Sequence, residues 1–256
     1  METTAPRPRG VFSYKVLAAI FGLAITWHVI NNIVQPEEGT YDTFELILTL
    51  SYPVTAFASF HVAKRYWHSE IFGKAYLSLG LAFLMYFFGD VGYFYQENVM
   101  GVEAYPSFAD IGYFAFYPFA MYHLLKNSLY FKRKFEMKTK AWISAFPVVM
   151  VVSYSILSLS MGGEFNFDFF YGLSFISLNA TVLAFAILGA QVFRQSALGP
   201  VWGLIVLGMI FYTIADGWYY HLEIFEQYTE THIVNMLWLL NTMIITYALY
   251  KHEKVI

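Results

Sequence analysis

The chain has 256 residues, no cysteine and a formal net charge of −3. Hydrophobic residues make up 58% of it and charged residues 13%, against about 45–50% and about 25% in a soluble domain. A soluble surface needs more charge than this, so the composition predicts an integral membrane protein in contact with the lipid bilayer. No basic patch indicates nucleic acid as a partner. Without cysteine, disulfides, a thiolate nucleophile and iron–sulfur ligation are excluded.

Eight apolar stretches are long enough to cross about 30 Å of hydrocarbon at about 1.5 Å per residue. They predict an all-α, polytopic membrane protein with spans at Val11–Ile33, Phe44–Ala63, Ala75–Gln96, Phe108–Leu125, Ala141–Met161, Phe169–Phe193, Pro200–Leu222 and Ile233–Tyr250. Residues 1–10 are polar and lack the apolar core and cleavage site of a signal peptide, so we expect a tail there. The rest, 11–256, is expected to be a single transmembrane domain.

The charged residues are sorted by position. All 15 Lys and Arg fall on one side of the predicted spans. The links on the opposite side hold acids and no base, namely Glu37, Glu38, Asp42, Glu97, Glu103, Glu164, Asp168, Glu226 and Glu230. By the positive-inside rule, both termini are predicted to be cytoplasmic, in a cell membrane. The basic loop 126–140 is interpreted as a determinant of this topology, with docking of an anionic lipid or partner as the alternative.

Spans 3–4 and spans 7–8 resemble each other in sequence. The aligned pairs are Asp90 with Asp216, Gly89 with Ala215, Tyr86 with Tyr212, Tyr93 with Tyr219 and, after a one-residue shift, Asp110 with Asn235. The copies are four spans apart and therefore run in the same direction through the membrane. This pattern predicts a parallel duplication of a four-helix unit, with repeats at 11–127 and 141–252.

Asp90 and Asp216 lie inside predicted spans, at similar depths. A carboxylate at such a depth costs a few kcal/mol, so we expect both to face the bundle interior and to be partnered. Positions i−4 and i+3 share a helix face with position i, so each Asp should have two phenols as hydrogen-bond donors. These are Tyr86 and Tyr93 in the first repeat, and Tyr212 and Tyr219 in the second. Repeats packed about a pseudo-two-fold axis would bring both acids to one cavity; the alternative is that they only clamp helices together.

Aromatic residues in the outer halves of spans 3, 4 and 7 exceed what a membrane-interface belt requires. Together with the acids they predict a pocket for an amphipathic or flat ligand, either a lipid or a small molecule. Trp218 and His221 are assigned to this pocket. Asp110 is assigned to it as well, although three residues after Ser107 it also suits the start of a helix.

Histidines are the remaining candidates for ligation. His28, His221 and Glu223 could meet near the outer face, but no ligand-spaced pair such as His-x-x-x-His is present, so no metal site is predicted. Every lysine lies at the basic edge of the spans, which excludes a retinal Schiff base in mid-membrane. No cofactor can be predicted from the sequence.

Residues 89–118 carry a distinctive pattern. Gly89-Asp90 ends one span, and Pro-Ser-Phe-Ala-Asp, Tyr113 and Tyr117-Pro118 follow in the next. This pattern resembles the multispanning sensor modules of bacterial diguanylate cyclases and related signalling proteins. The resemblance implies a ligand-binding sensor or accessory module. Because those modules usually precede a cytoplasmic output domain, it also implies a separate output or complex subunit as partner.

The contexts FFGD and FYTIAD place one Asp in each of two related helices. Here the chain resembles the lysoplasmalogenase-like eight-span membrane hydrolases, although Asp110 stands where that family tends to have His. The resemblance implies that Asp90 and Asp216 are a catalytic pair, one as base and one as acid, that activates water against a lipid headgroup bond. The first interpretation is therefore a sensor, the second a lipid hydrolase and the third a proton- or ion-coupled carrier.

The charge distribution makes the topology testable, and the absence of native cysteine makes single-Cys variants clean reporters. In intact cells, Glu103→Cys and Glu230→Cys should react with a membrane-impermeant maleimide, whereas Thr139→Cys should react only after permeabilisation. Labelling of the first two variants from the cytoplasmic side alone would contradict the predicted orientation.

Overall fold

A computed structural model of the chain describes residues 13–34, 43–102, 106–132, 134–225, 228–229 and 231–255. Within these ranges the secondary structure is helical and includes no β-strand. The helices are α1 (Tyr14–Ile33), α2 (Thr43–Arg65), α3 (Phe72–Phe94), α4 (Ala109–Phe131), α5 (Met137–Ser160), α6 (Phe167–Phe193), α7 (Gly199–Phe225) and α8 (Ile233–Val255). A π-helical turn, Tyr95–Met100, continues α3.

Seven of these α-helices are long and apolar enough to cross a membrane, as expected of a helical membrane protein. The exception is α4, whose composition is more polar because it carries the fully buried side chains of His123, Asn127 and Ser128. The helices follow the predicted spans closely and extend past some of them, since polar residues at a helix end remain helical beyond the apolar stretch. The predicted tail, 1–10, lies outside the described residues.

Six helices form a closed ring in the order α2, α3, α4, α6, α7, α8 and back to α2. Hydrogen bonds between hydroxyl groups join α8 to α2. Thr242 of α8 donates to Ser51 of α2 across 2.9 Å. One turn further on, the hydroxyls of Thr55 and Thr246 are also 2.9 Å apart, so α2 and α8 run in the same direction. Outside the ring, α1 packs on α8 and α5 packs on α6.

Apolar side chains face both the ring interior and its surroundings. Trp202, Tyr117 and Phe116 are fully buried, whereas Val148 and Ile156 of α5 are about 60% and 65% exposed. Lipid tails are as apolar as these side chains, so helix association inside a membrane depends on close packing and hydrogen bonds rather than on hydrophobic burial.

Two glycines allow a close approach between α3 and α4. A Cβ atom on Gly112 would lie 2.6 Å from the backbone nitrogen of Gly89 and 2.7 Å from the carbonyl oxygen of Met85. A Cβ atom on Gly89 would lie 2.7 Å from the ring of Tyr113. Any larger residue at either position would push the two helices apart, and this contact places Tyr113 against α3.

Replacing Gly112 tests this contact. We expect Gly112→Ala to destabilise the protein by about 1–3 kcal/mol, as overpacking of a close-packed core does. Gly203→Ala on α7 is the control, because a Cβ atom there meets nothing within 4 Å. Thermal unfolding of both variants in one detergent measures the difference, and equal midpoints would show that the α3–α4 contact is not tight.

Candidate functional site

A cavity of about 130 Å³ lies inside the ring, toward the end where α2 begins and α3 ends. Residues of all six ring helices line it, with Trp27 from α1 and Tyr228 from the link before α8. Its lining includes four carboxyl groups, Glu45, Asp90, Asp110 and Asp216, and eight tyrosines, Tyr52, Tyr86, Tyr93, Tyr113, Tyr171, Tyr219, Tyr220 and Tyr228. Among the described lining residues there is no Lys, Arg or His. The site is therefore acidic and aromatic.

Hydroxyl groups from two neighbouring helices hold Asp90. Thr49 of α2 donates to its Oδ2 across 3.1 Å, and Tyr113 of α4 donates to its Oδ1 across 3.0 Å. Gly89 leaves room for the ring of Tyr113 beside this carboxyl. Both partners are hydroxyls, which can accept as well as donate. Asp90 is partly exposed and lines the cavity.

Asp216 is more enclosed, with 3% of its surface exposed. The indole Nε1–H of Trp238 donates to its Oδ1 across 2.6 Å, while Asn179 and Tyr117 donate to its Oδ2 across 2.7 and 3.3 Å. The donors come from α8, α6 and α4. Hydrogen bonds to a charged group contribute about 1.5–3 kcal/mol each, so three of them offset much of the several kcal/mol that burying an unpaired carboxylate costs.

Asp110 has two roles at once. Its carboxylate accepts from the backbone N–H of Ser107 across 2.6 Å, which ties down the start of α4. It also accepts a hydrogen bond from the hydroxyl of Tyr171 on α6 and lines the cavity. The local role predicted from the sequence, an acid at a helix N-terminus, is thus compatible with a place in the site.

The structure brings together most of the residues that the sequence singled out. Asp90, Asp110, Asp216, Tyr86, Tyr93 and Tyr219 line one cavity. Tyr212 lies behind it, with its ring centroid 5.8 Å from that of Tyr86. Trp218 is 41% exposed and packs on His232, and His221 is also not part of the described lining.

Facing helices supply the shortest hydrogen bonds to both carboxyls. The hydrogen bonds to Asp90 come from α2 and α4 rather than from Tyr86 of its own helix, whose ring packs 4.6 Å from that of Tyr52. The closest donors to Asp216 likewise belong to other helices.

Sequence reasoning missed several partners of the acids, above all Glu45, Thr49, Asn179 and Trp238. Asn179 offered a signal, because it is an amide in the middle of an otherwise apolar span. Trp238 offered another, because it aligns with Tyr113 in the same register that pairs Asp110 with Asn235. Glu45 and Thr49 carry no local signal, since acids and hydroxyls are common near the start of a helix.

Metal ligation finds no support among the described residues, where no group of three or more His, Cys, Asp or Glu could hold an ion. His28 is close to Asn32 of its own helix, with Nδ1 and Nδ2 3.4 Å apart. The side chain of Glu223 lies outside the described residues. Compared with protein-family models, curated proteins and solved structures, the chain gives no match.

The two acids should respond differently to an amide. In Asp216→Asn, an amide N–H in place of Oδ1 would oppose the indole N–H of Trp238, which only donates. An amide N–H in place of Oδ2 would require Asn179 to turn its own amide and give up its hydrogen bond to the carbonyl oxygen of Phe175. We expect this variant to lose about 1–3 kcal/mol of stability. Asp90→Asn should lose less, because the hydroxyls of Thr49 and Tyr113 can turn to accept.

Thermal unfolding of the two variants measures this difference. Trp238→Phe, alone and combined with Asp216→Asn, completes a double-mutant cycle. The substitution Trp238→Phe, which removes the indole N–H, should lower the free energy of unfolding clearly less in the Asp216→Asn variant than in the wild type. Equal losses of stability in the two backgrounds would contradict the hydrogen bond from Trp238 to Asp216.

Proposed function

We propose that this protein is a membrane-embedded ligand-binding module of the sensor type, whose cavity receives a positively charged group. One observation carries the proposal: four carboxyl groups converge on a single aromatic cavity that has no basic side chain among its described lining residues. A site built for an anion would present donors such as Arg, Lys or free backbone N–H groups.

The chemistry of the walls favours an organic cation. Tyrosine and tryptophan rings attract ammonium groups through their negative faces, a contact that contributes about 0.5–2 kcal/mol. Tyr52 and Tyr86 pack at 4.6 Å and Tyr86 and Tyr113 at 4.9 Å between centroids, so these rings form a continuous wall beside Asp90. A cation held there would be neutralised by a carboxylate while its methyl or methylene groups contact the rings.

The cavity volume limits the part of the ligand that enters. About 130 Å³ is close to the engineered cavity of about 150 Å³ that holds a benzene molecule. A small amine or quaternary ammonium group therefore fits, and any longer apolar part of the ligand would lie outside the cavity. This geometry supports an amphipathic cation, either a lipid or a small molecule.

A sensor role also agrees with the resemblance of residues 89–118 to membrane sensor modules. We propose that ligand binding changes how the ring helices pack and that a separate output or complex subunit receives this change. The ring offers a route, because Asp110 links the start of α4 to α6 through Tyr171 while it faces the cavity.

The proposed membrane topology has eight spans, a duplicated four-helix unit and cytoplasmic termini. We propose that α4 also spans the membrane, since at 23 residues it matches α3 in length and packs between α3 and α6 in the ring. Duplication is supported by the donors: Tyr113 binds Asp90 and its aligned partner Trp238 binds Asp216. The positions of the basic residues support cytoplasmic termini.

A lipid hydrolase is the second candidate, favoured by the presence of Asp90 and Asp216 in one cavity with different partners. Two carboxyls in different surroundings can serve as an acid and a base. Release of headgroup product from lysolipids by the wild type, lost in both Asp→Asn variants, would support the enzyme over the sensor.

Binding of matched amphiphiles tests the first proposal. With purified protein in lipid nanodiscs, dodecyltrimethylammonium should raise the unfolding temperature at concentrations where dodecyl sulfate does not. Asp90→Asn should weaken that binding about 5- to 150-fold, which corresponds to about 1–3 kcal/mol. Glu164→Gln is the control, because Glu164 is exposed and outside the cavity lining. Equal binding of both amphiphiles would contradict a cation site.

A further inference from the structure

A second buried polar region lies at the other end of the ring. The ring of Tyr76 on α3 packs 4.7 Å from that of His123 on α4 and 4.6 Å from that of His252 on α8. All three side chains are fully buried. We call these three residues the inner histidine cluster. The proposed cavity function makes no use of it.

Most polar atoms of this cluster lack protein partners. His123 places Nδ1 3.0 Å from the carbonyl oxygen of Ala75, which can only accept, so Nδ1 carries the hydrogen and Nε2 the lone pair. That Nε2, the hydroxyl of Tyr76 and both ring nitrogens of His252 are buried with no hydrogen-bond partner in the protein. Each unsatisfied group of this kind costs about 1–3 kcal/mol. Several together mark a place where internal water supplies the missing bonds.

Water suits this cluster better than a single charged occupant does. The lone pair of His123 requires a donor, and the hydroxyl of Tyr76 can donate or accept. His252 offers one of each, because a neutral imidazole has one N–H and one lone pair. Only a molecule that both donates and accepts satisfies all of these atoms.

Hydroxyl groups continue the polar region along the contact between α2 and α8. Ser51, Thr55 and Ser59 are spaced four residues apart and so lie on one face of α2. Thr55 and Ser59 are fully buried, and Ser59 donates to the backbone oxygen of Tyr76 across 2.6 Å. We call the α2 hydroxyls and their partners Thr242 and Thr246 the hydroxyl seam.

Asn241 is a further buried polar side chain on α8, next in sequence to Thr242 of the seam. It is 1% exposed, and neither the nitrogen nor the oxygen of its amide has a hydrogen-bond partner in the protein. It follows Trp238 by three residues on α8 and therefore lies on the same side of the helix. Trp238 binds Asp216, so Asn241 stands one turn below the cavity.

Charged groups lie at the surface of the basic end of the ring. Glu253 follows His252 directly and lies 3.0 Å from Arg65 and 3.7 Å from His61. The side chain of His61 is 65% exposed. Protonatable groups therefore occur at the surface, in the inner histidine cluster and at the cavity, and polar groups lie between them.

We propose that buried water joins the inner histidine cluster, the hydroxyl seam and Asn241 into a path that conducts protons between the basic end of the ring and Asp216. His252 is suited to relay, because it can take a proton on one ring nitrogen and release one from the other, which returns it to its starting charge. Chains of Asp and His with bound water perform this task in membrane pumps and transporters. The proposal does not depend on which ligand the cavity binds.

Proton flux in liposomes tests this path. Reconstituted wild-type protein, driven by a potassium diffusion potential with valinomycin, should acidify an internal pH dye at least several-fold faster than protein-free liposomes. His252→Phe and Asn241→Leu should each reduce the flux to the protein-free level. Ser155→Ala on α5 is the control and should keep it, because that hydroxyl bonds only within its own helix, to Val151. Wild-type flux no greater than that of protein-free liposomes would overturn the proposal, and so would flux that survives both substitutions.

Thermal unfolding of Asn241→Leu tests the hydration separately. If no water is bound at Asn241, the protein should become more stable when its two unsatisfied polar atoms are replaced by an apolar side chain of similar size. If water is bound there, the protein should become less stable, because the water that Asn241 binds loses its hydrogen-bond partner. A rise in the unfolding temperature would therefore contradict the proposed water path, whatever the flux.

Discussion

The hydrogen bonding of Asp216 constrains the rest of the structure. In a membrane the alternative to an internal partner is hydrocarbon, so a carboxylate without a base must collect donors from the protein. Asp216 does so from three helices other than its own, through Tyr117, Asn179 and Trp238. The position of α7 relative to α4, α6 and α8 is therefore fixed by one small side chain near the centre of the ring.

Close packing between α3 and α4 positions the second acid, Asp90. Gly89 and Gly112 let α3 and α4 approach until backbone meets backbone, and the ring of Tyr113 then fits beside Gly89 and reaches Asp90. Asp90 has fewer and more adaptable partners than Asp216. Both acids line the cavity, but Asp216 is held by donors from three helices and Asp90 by two hydroxyl groups.

Charge is distributed unevenly along the ring. One end holds four carboxyl groups around a cavity, and the other holds basic residues and buried histidines. The first end suits the proposed cation, and the unpartnered polar atoms of the second are those that the proposed water path would satisfy. Both features follow from the same physical rule, which is that polar groups inside an apolar bundle must be satisfied within it.

The amino-acid sequence by itself determined the class of protein and the candidate acids, because both depend on composition and position. Long apolar stretches predict membrane helices wherever they occur, and an acid inside one must face inward, so Asp90 and Asp216 could be singled out without knowing any contact. The partners of these acids were decided only by the tertiary structure. Asn179 and Trp238 reach Asp216 because α6 and α8 flank α7, and Thr49 reaches Asp90 because α2 packs beside α3. Helical periodicity relates residues of one helix and says nothing about the register between helices, which close packing and hydrogen bonding set only when the ring closes.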